Sequence, residues 1–246
     1  MIWWVVIESI FTSIAMYRMY VKNNGIIKFK INKGLIIKTI KEAFPFLISN
    51  LAILLYMRID QLFIKEYLGD AGVGQYSVGI LFSQFWYFIP VIIATVISPK
   101  LAEIKNTSAI KYNEVMRIAF LVFMFMGIAV CLIDIFMAQF LINALYGEKY
   151  IDAIKILQIH SITNIFVFMG VAQNIWIVNE KKGHINSLKT MIGLVSAILF
   201  NWILIPIFGL VGAAYSAVLT YFITAFLINY ILIRKLFYMQ IGIIKL

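Results

Sequence analysis

Seven runs of mostly apolar residues, each about long enough to cross a bilayer, dominate this chain: 1–21, 43–64, 76–98, 117–141, 153–178, 186–206 and 211–233. A helical crossing takes roughly 20 such residues. In hydrocarbon every backbone N–H and C=O needs a partner within its own segment, so runs of this length read as helices. A transmembrane barrel would show segments of about 10 residues with alternating polarity, and these runs do not alternate. Hydrophobic residues make up 63% of the 246, and charged residues 13%. An ordinary soluble domain is about 45–50% apolar and about 25% charged. The expected fold class is therefore all-α, a polytopic transmembrane helix bundle of about seven spans.

The charges outside the runs are mostly positive, giving a net charge of +10. No basic stripe lies on a folded polar surface, so the excess does not point to nucleic acid. Of the 21 Lys and Arg, 17 fall in alternate connections: 18–41, 100–117, 180–189 and the C-terminus. Basic loops stay in the cytoplasm, so residue 1 is expected outside and the C-terminus inside. Met1 opens directly into Ile2, Trp3 and Trp4, without the charged start of a signal peptide. The beginning reads as the continuation of a longer chain. Cys131 has no partner for an internal disulfide, and Cys and His spacings that hold metal are absent. No metal or cofactor is expected, and Cys131 is expected to pack.

Ionisable groups inside the runs carry the functional signal, because such residues are costly in lipid and usually face a bundle interior or a watery cavity. They are Glu8, the pair Arg58 and Asp60, Asp134, and His160. With the deduced orientation all lie in the outer half of the membrane. Wound as one helix at 3.6 residues per turn, run 43–64 places Ser49, Asn50, Arg58, Asp60 and Gln61 on one half of its circumference. Leu51, Leu55, Ile59, Leu62 and Phe63 take the other. The Arg58–Asp60 pair then either holds helices together or lines a transport cavity. Run 153–178 repeats the pattern more weakly with His160, Thr163, Asn164 and Asn174. Gly212, Ser216, Thr220 and Thr224 form a ladder of small residues suited to close helix packing. Pro90 should break or kink the third run, and Pro206 precedes a turn at Phe208–Gly212.

Four pieces of the sequence bear a resemblance to a known family: Arg58–Ile59–Asp60–Gln61, Gly69 to Tyr76, Leu145 to Tyr150, and Asn201 to Ala214. They resemble the O-antigen and polysaccharide flippases of the multidrug/oligosaccharidyl-lipid/polysaccharide exporter superfamily. The resemblance implies two pseudo-symmetric lobes, of which this chain would supply residues 1–21 as the last span of a first lobe, 22–42 as a basic cytoplasmic linker, and 43–246 as a six-span second lobe. It implies a cargo, an oligosaccharide on undecaprenyl pyrophosphate, carried across the bacterial inner membrane. Partners would be membrane lipid, the missing first lobe or other polysaccharide assembly proteins. Under this reading the headgroup and cavity residues are Arg58, Asn50, Gln61 and Asn164. Arg suits the diphosphate through its bidentate fork. Asp60, Glu8, Asp134 and His160 are candidates for coupling a proton or sodium. No catalytic residue is expected. Rival readings are a cation-coupled drug exporter of the same superfamily and a polytopic glycosyltransferase or polymerase; the short outer loops and the lack of Asp-x-Asp speak against the enzyme.

Overall fold

The computed structural model describes residues 2–24 and 32–242. In chain order the helices are α1 (Ile2–Asn24), α2 (Lys33–Tyr56), α3 (Ile59–Phe85), α4 (Phe88–Thr107), α5 (Ala109–Tyr146), α6 (Ile151–His160), α7 (Thr163–Asn179), α8 (Gly183–Phe208), α9 (Leu210–Phe222), α10 (Ile228–Leu232) and α11 (Arg234–Gln240). A 3-10 turn (Glu148–Tyr150) precedes α6, and a π-helical turn (Ile223–Leu227) joins α9 to α10. No strand occurs among the described residues. The chain divides into two compact units, 1–41 and 42–246.

The all-helical expectation holds, but the helices are cut differently from the apolar runs. Lys33–Thr107, Ala109–Tyr146, Gly183–Phe208 and Leu210–Leu232 are long and apolar enough to cross a membrane. The pair Glu148–His160 and Thr163–Asn179, bent by 44°, makes a fifth. Two of the seven expected runs fall inside the 75-residue segment Lys33–Thr107. At 1.5 Å per residue that segment would extend roughly 110 Å, far more than one crossing of a ~30 Å hydrocarbon core. It turns at Gly69, whose φ of 72° suits glycine. Residues 33–42, expected as linker, are helical in α2; residues 25–31 lie outside the described residues.

The longest helix shows how one face is chosen. Along α5 the buried positions are Tyr112, Met116, Phe120, Phe123, Gly127, Val130, Cys131, Asp134, Ala138 and Ile142. These steps of three and four residues make a single seam. The opposite flank carries Phe125, Phe136 and Phe140, which are 63%, 81% and 65% exposed. Apolar surface this continuous needs an apolar solvent, and hydrocarbon supplies it. The main core joins that seam to Phe168, Met169 and Trp176 of α7 and to Leu236 and Met239 of α11. A second cluster ties Ile64, Tyr76 and Ile80 of α3 to Ile156 of α6, Ile205 of α8, and Ala213 and Ala214 of α9.

Two expectations about local structure are met. Pro90 is the third residue of α4, and the helix breaks just before it at Trp86–Tyr87; in a first turn proline sacrifices no intrahelical bond. The α8–α9 turn lies at Gly209, with φ 60°. Gly212 then sits so close to α8 that a Cβ there would lie 2.1 Å from the Leu204 carbonyl oxygen. The ladder Gly212, Ser216, Thr220 and Thr224 thus packs on α8, with a Thr224 methyl against Gly193.

Candidate functional site

Three of the helix breaks have no glycine or proline at the breaking residues. At Met57–Arg58, Trp86–Tyr87 and Ser161–Ile162 the ladder tightens, with Arg58 N–H donating to Leu55 O, Tyr87 N–H to Gln84 O, and Ile162 N–H to Ile159 O. These are three-residue steps of the 3-10 kind, and such stretches inside long helices often mark hinges. The polar residues of the membrane runs collect around them.

Asp60 lies just after the first break. It is buried, with Oδ2 accepting from the Tyr76 hydroxyl at 2.5 Å and Oδ1 from Gln61 N–H at 2.8 Å. The Tyr76 ring stands edge-on to His160, with centroids 6.5 Å apart. His160, at the end of α6, is buried, and its Nδ1 meets Ser83 Oγ at 2.7 Å. Thr163, just beyond the α6–α7 break, donates to the His160 carbonyl at 2.6 Å and shares a 3.1 Å hydrogen bond with Tyr87. Next to it Asn164 donates Nδ2 to Asp134 Oδ2 at 3.2 Å, and Trp86 Nε1 donates to Asp134 Oδ1 at 2.8 Å. A thread of buried polar groups therefore runs from Asp60 and Tyr76 past His160 to Thr163, Asn164 and Asp134 across α3, α5, α6 and α7, with a ring contact rather than a hydrogen bond between Tyr76 and His160. Gly127 lets α5 approach the break itself, since a Cβ there would lie 2.8 Å from Ile165 Cα.

The structure thus buries Asp60, Asp134, His160 and Asn164. Arg58 and Asn50 are exposed on the outside of the bundle, and Gln61 is half-buried. Arg58 and Asp60 form no ion pair; among the described residues the ion pairs are Lys65–Asp70 and Lys105–Glu180. The reason is local. Residues two apart do not face each other on a helix, and the break at Met57–Arg58 leaves Arg58 outward while Asp60 turns in. The expected polar half of run 43–64 therefore splits, with Ser49 and Asp60 inward and Asn50 and Arg58 outward. Glu8 is exposed on α1, in the other unit. Cys131 packs in the interior, 3.8 Å from Ser161 Oγ.

Lys189 is not the loop cation that its place beside Lys181 and Lys182 suggests. It lies in α8, 5% exposed, and its Nζ donates to Gln173 Oε1 at 2.8 Å. Gln173 in turn donates to Gln240 Oε1 and to the Ala225 carbonyl. Asn229 and Gln240 donate to the same carbonyl. Ala225 sits in the π-helical turn, a geometry recurrent at functional positions. This second polar centre was hidden in the sequence because Lys189 follows Lys181 and Lys182 closely.

Two cavities bear on function. The larger, of about 570 Å³, is an open shelf on α5 lined by Phe136, Gln139, Phe140, Asn143 and Ala144, without an ionisable group. The smaller lies inside the bundle, between α2, α3, α8 and α9, and is lined by Tyr56, Asp60, Ala197, Asn201, Ser216, Ala217, Thr220 and Tyr221.

A family profile described as a polysaccharide biosynthesis protein matches residues 1–155, more than half of the chain. The chain belongs to this family. As a polysaccharide biosynthesis family member it carries Asp60, Asp134 and the first two breaks within the matched region. A capsular polysaccharide biosynthesis protein, CapF, of Staphylococcus aureus is 27% identical over 241 residues, covering 92% of this chain and 57% of CapF. An outward-facing multidrug resistance transporter of the MATE family, in the MOP superfamily, has the same fold, with a TM-score of 0.64 and 20% identity. It covers 84% of this chain and 49% of its own. A MOP superfamily transporter from Pyrococcus furiosus matches equally, with 84% of this chain and 48% of its own. The chain spans about half the length of the relatives it matches. This polysaccharide biosynthesis family member is a multi-pass membrane protein with the fold of MOP superfamily transporters.

Proposed function

We propose that this chain takes part in flipping an oligosaccharide linked to undecaprenyl pyrophosphate across the bacterial cytoplasmic membrane, for surface polysaccharide synthesis. The chain acts as one lobe of a two-lobed transporter working by alternating access, without catalysing bond chemistry. Its N-terminus lies outside and its C-terminus in the cytoplasm. The observation that carries this reading is the polar thread through broken helices in a chain of the polysaccharide biosynthesis family. Discontinuous helices with polar groups near their breaks are how transporters build sites at membrane depth. A half-length relative of CapF needs a second lobe to close a pathway, supplied by another polypeptide or by a longer form of this one. Arg58, exposed on the surface of the lobe, contacts the diphosphate between lobes, with Asn50 and Gln61 as further headgroup residues. Asp60, Asp134 and His160, held inside, couple transport to an ion.

Deletion of the gene tests the reading. The expected result is loss of surface polysaccharide together with accumulation of the complete lipid-linked oligosaccharide. Accumulation of a shortened or unpolymerised glycan would instead indicate a glycosyltransferase or polymerase. Normal polysaccharide with raised sensitivity to amphipathic cations would indicate a drug exporter.

A further inference from the structure

Three paths through the unit 42–246 repeat one order of layers. On α5 the buried apolar residues from Tyr112 to Val130 belong to the main core. Cys131 and Asp134 follow, and then Ala138 and Ile142, which cluster with Ala153 and Leu157 of α6. Along α6 and α7 the order is Ala153 to Leu157, then His160 to Asn164, then Phe168 to Ile177 in the main core. Along α3 and α4 it is Ile64 to Ile80, then Ser83 to Tyr87, then Leu101 of the main core. Among the described residues, the main core at the Ser108 end of α5 thus shares no residue with the two smaller clusters at its Gly147 end. A polar layer parts them. Asp60, Asn201, Ser216 and Thr220, around the small cavity, extend it to α8 and α9. Helices break where they meet this layer, at Met57–Arg58, Trp86–Tyr87 and Ser161–Ile162. The α9 helix turns π-helical two residues past Tyr221. By contrast, α5 and α8 cross the layer unbroken.

We propose that this layer is a bending plane, across which the two ends of the unit move as separate bodies while α5 and α8 run through both. Interdigitated apolar cores are close-packed and do not deform continuously. Hydrogen bonds in the layer exchange partners instead. Thr163 Oγ1 has the His160 carbonyl at 2.6 Å, the Tyr87 hydroxyl at 3.1 Å and His160 Nδ1 at 3.5 Å. Asn164 Oδ1, Asn201 Oδ1, Ser216 Oγ and Thr220 Oγ1 all lie in the layer, buried and without a hydrogen-bond partner. Buried polar atoms in native proteins are almost always partnered, so a second arrangement of the layer is called for. The three-residue steps at the breaks mark where the backbone yields, and α6 and α7 already stand 44° apart. Each end is tied internally. At the Gly147 end Gln75 Nε2 donates to the Lys149 carbonyl, and a Cβ on Gly79 would lie 2.8 Å from Ile156 Cβ. At the Ser108 end Lys105 pairs with Glu180 at 3.0 Å and Asn179 donates to the Tyr112 hydroxyl. That the bending serves transport rests on the reading above; the bending itself stands alone.

The test measures spin-label distances by pulsed electron paramagnetic resonance on the whole purified chain in detergent, in a Cys131→Ala background. Labels go on exposed positions through Lys65→Cys on α3, Ile151→Cys on α6, Val96→Cys on α4 and Val178→Cys on α7. The pairs 65 with 151 and 96 with 178 each lie within one body. The pairs 65 with 96 and 151 with 178 cross the plane. Single narrow distances are expected within each body. Across the plane two populations are expected, or a distribution about twofold wider or more. Equal widths for all four pairs, as for a layer held rigid by bound waters, overturn the inference. Hydrogen exchange of the unlabelled parent is the second measurement, and it decides where a labelled variant does not fold. The amides of Arg58, Tyr87 and Ile162 are expected to exchange about tenfold faster or more than those of the flanking helices, with the two ends opening as separate units. Opening of the whole as one cooperative unit overturns the inference. Bending by a chain that does not flip its cargo defeats the transport reading alone, and flipping by a chain that does not bend defeats this one alone.

Discussion

The Tyr76 hydroxyl donates to Asp60 Oδ2 at 2.5 Å, although the two residues are sixteen positions apart on the same element. On a straight helix sixteen residues span roughly 24 Å. The bond exists because Gly69 reverses the path within α3, with φ 72° and ψ −175°. One positive-φ glycine thus delivers a hydroxyl to a buried carboxylate, and the carboxylate to both the polar thread and the α8–α9 cavity.

Tyr76→Phe keeps the ring and removes that donor. The variant is expected to lose about 1–3 kcal/mol of stability, the cost of a buried acceptor losing its partner. Thermal unfolding of the purified protein measures it. An unchanged melting temperature would show that Asp60 does not depend on Tyr76.

Lys189 and Gln173 are expected to respond unequally. Lys189→Met removes a buried cation but leaves Gln173 Oε1 without its donor, and the two effects are expected to offset to within about 1 kcal/mol. Gln173→Leu removes the acceptor for Lys189 Nζ and one donor to the Ala225 carbonyl. It is expected to destabilise by about 1–3 kcal/mol or more. Equal losses from both variants in thermal unfolding would contradict the account of this centre.

Arg58 and Asp60 are expected to separate, because they do not pair. Arg58→Ala should abolish export at normal protein abundance, and Arg58→Lys should keep part of it, since Lys retains the charge but not the planar fork. Asp60→Asn should lower export and, because the amide keeps one of the two acceptor oxygens that Tyr76 and Gln61 use, should also lower abundance, whereas Arg58→Ala should not. Surface polysaccharide and membrane abundance, measured together, check this. Normal export by Arg58→Ala would remove Arg58 from the mechanism.

Topology is expected to follow the basic loops. A cysteine replacing Lys182 should resist an impermeant maleimide in intact cells and react after lysis. A cysteine replacing Lys149, in the loop after α5, should react in intact cells. The reverse pattern would invert the orientation.

The parts of this fold that were legible in the sequence are those that lipid dictates. Phe125, Phe136 and Phe140 could be read as outward because nothing but hydrocarbon tolerates such a flank. Asp60, Asp134 and His160 could be read as internal because charge at membrane depth is costly. The helix breaks were legible only where a special backbone residue announces them, as at Pro90 and Gly209. The breaks at Met57–Arg58 and Ser161–Ile162 carry no such residue; at the second, Gly127 of α5 closes on Ile165 just beyond the break. That is why Arg58 was placed on the face of Asp60. Lys189 was missed because its place in sequence, beside a basic loop, says nothing of the Gln173, Asn229 and Gln240 that surround its end of the bundle. Ser216 and Thr220 were read only as packing residues, because a small polar residue at a step of four fits close helix approach whether or not its hydroxyl also lines a cavity, as both do here.

The most direct measurement is the leaflet position of the lipid-linked oligosaccharide. Spheroplasts of the deletion strain, with and without the restored gene, are treated with an impermeant glycosidase, and the fraction of lipid-linked glycan cleaved is recorded. The account predicts that the glycan is cleaved when the gene is present and protected when it is absent. Equal cleavage in both strains would contradict it.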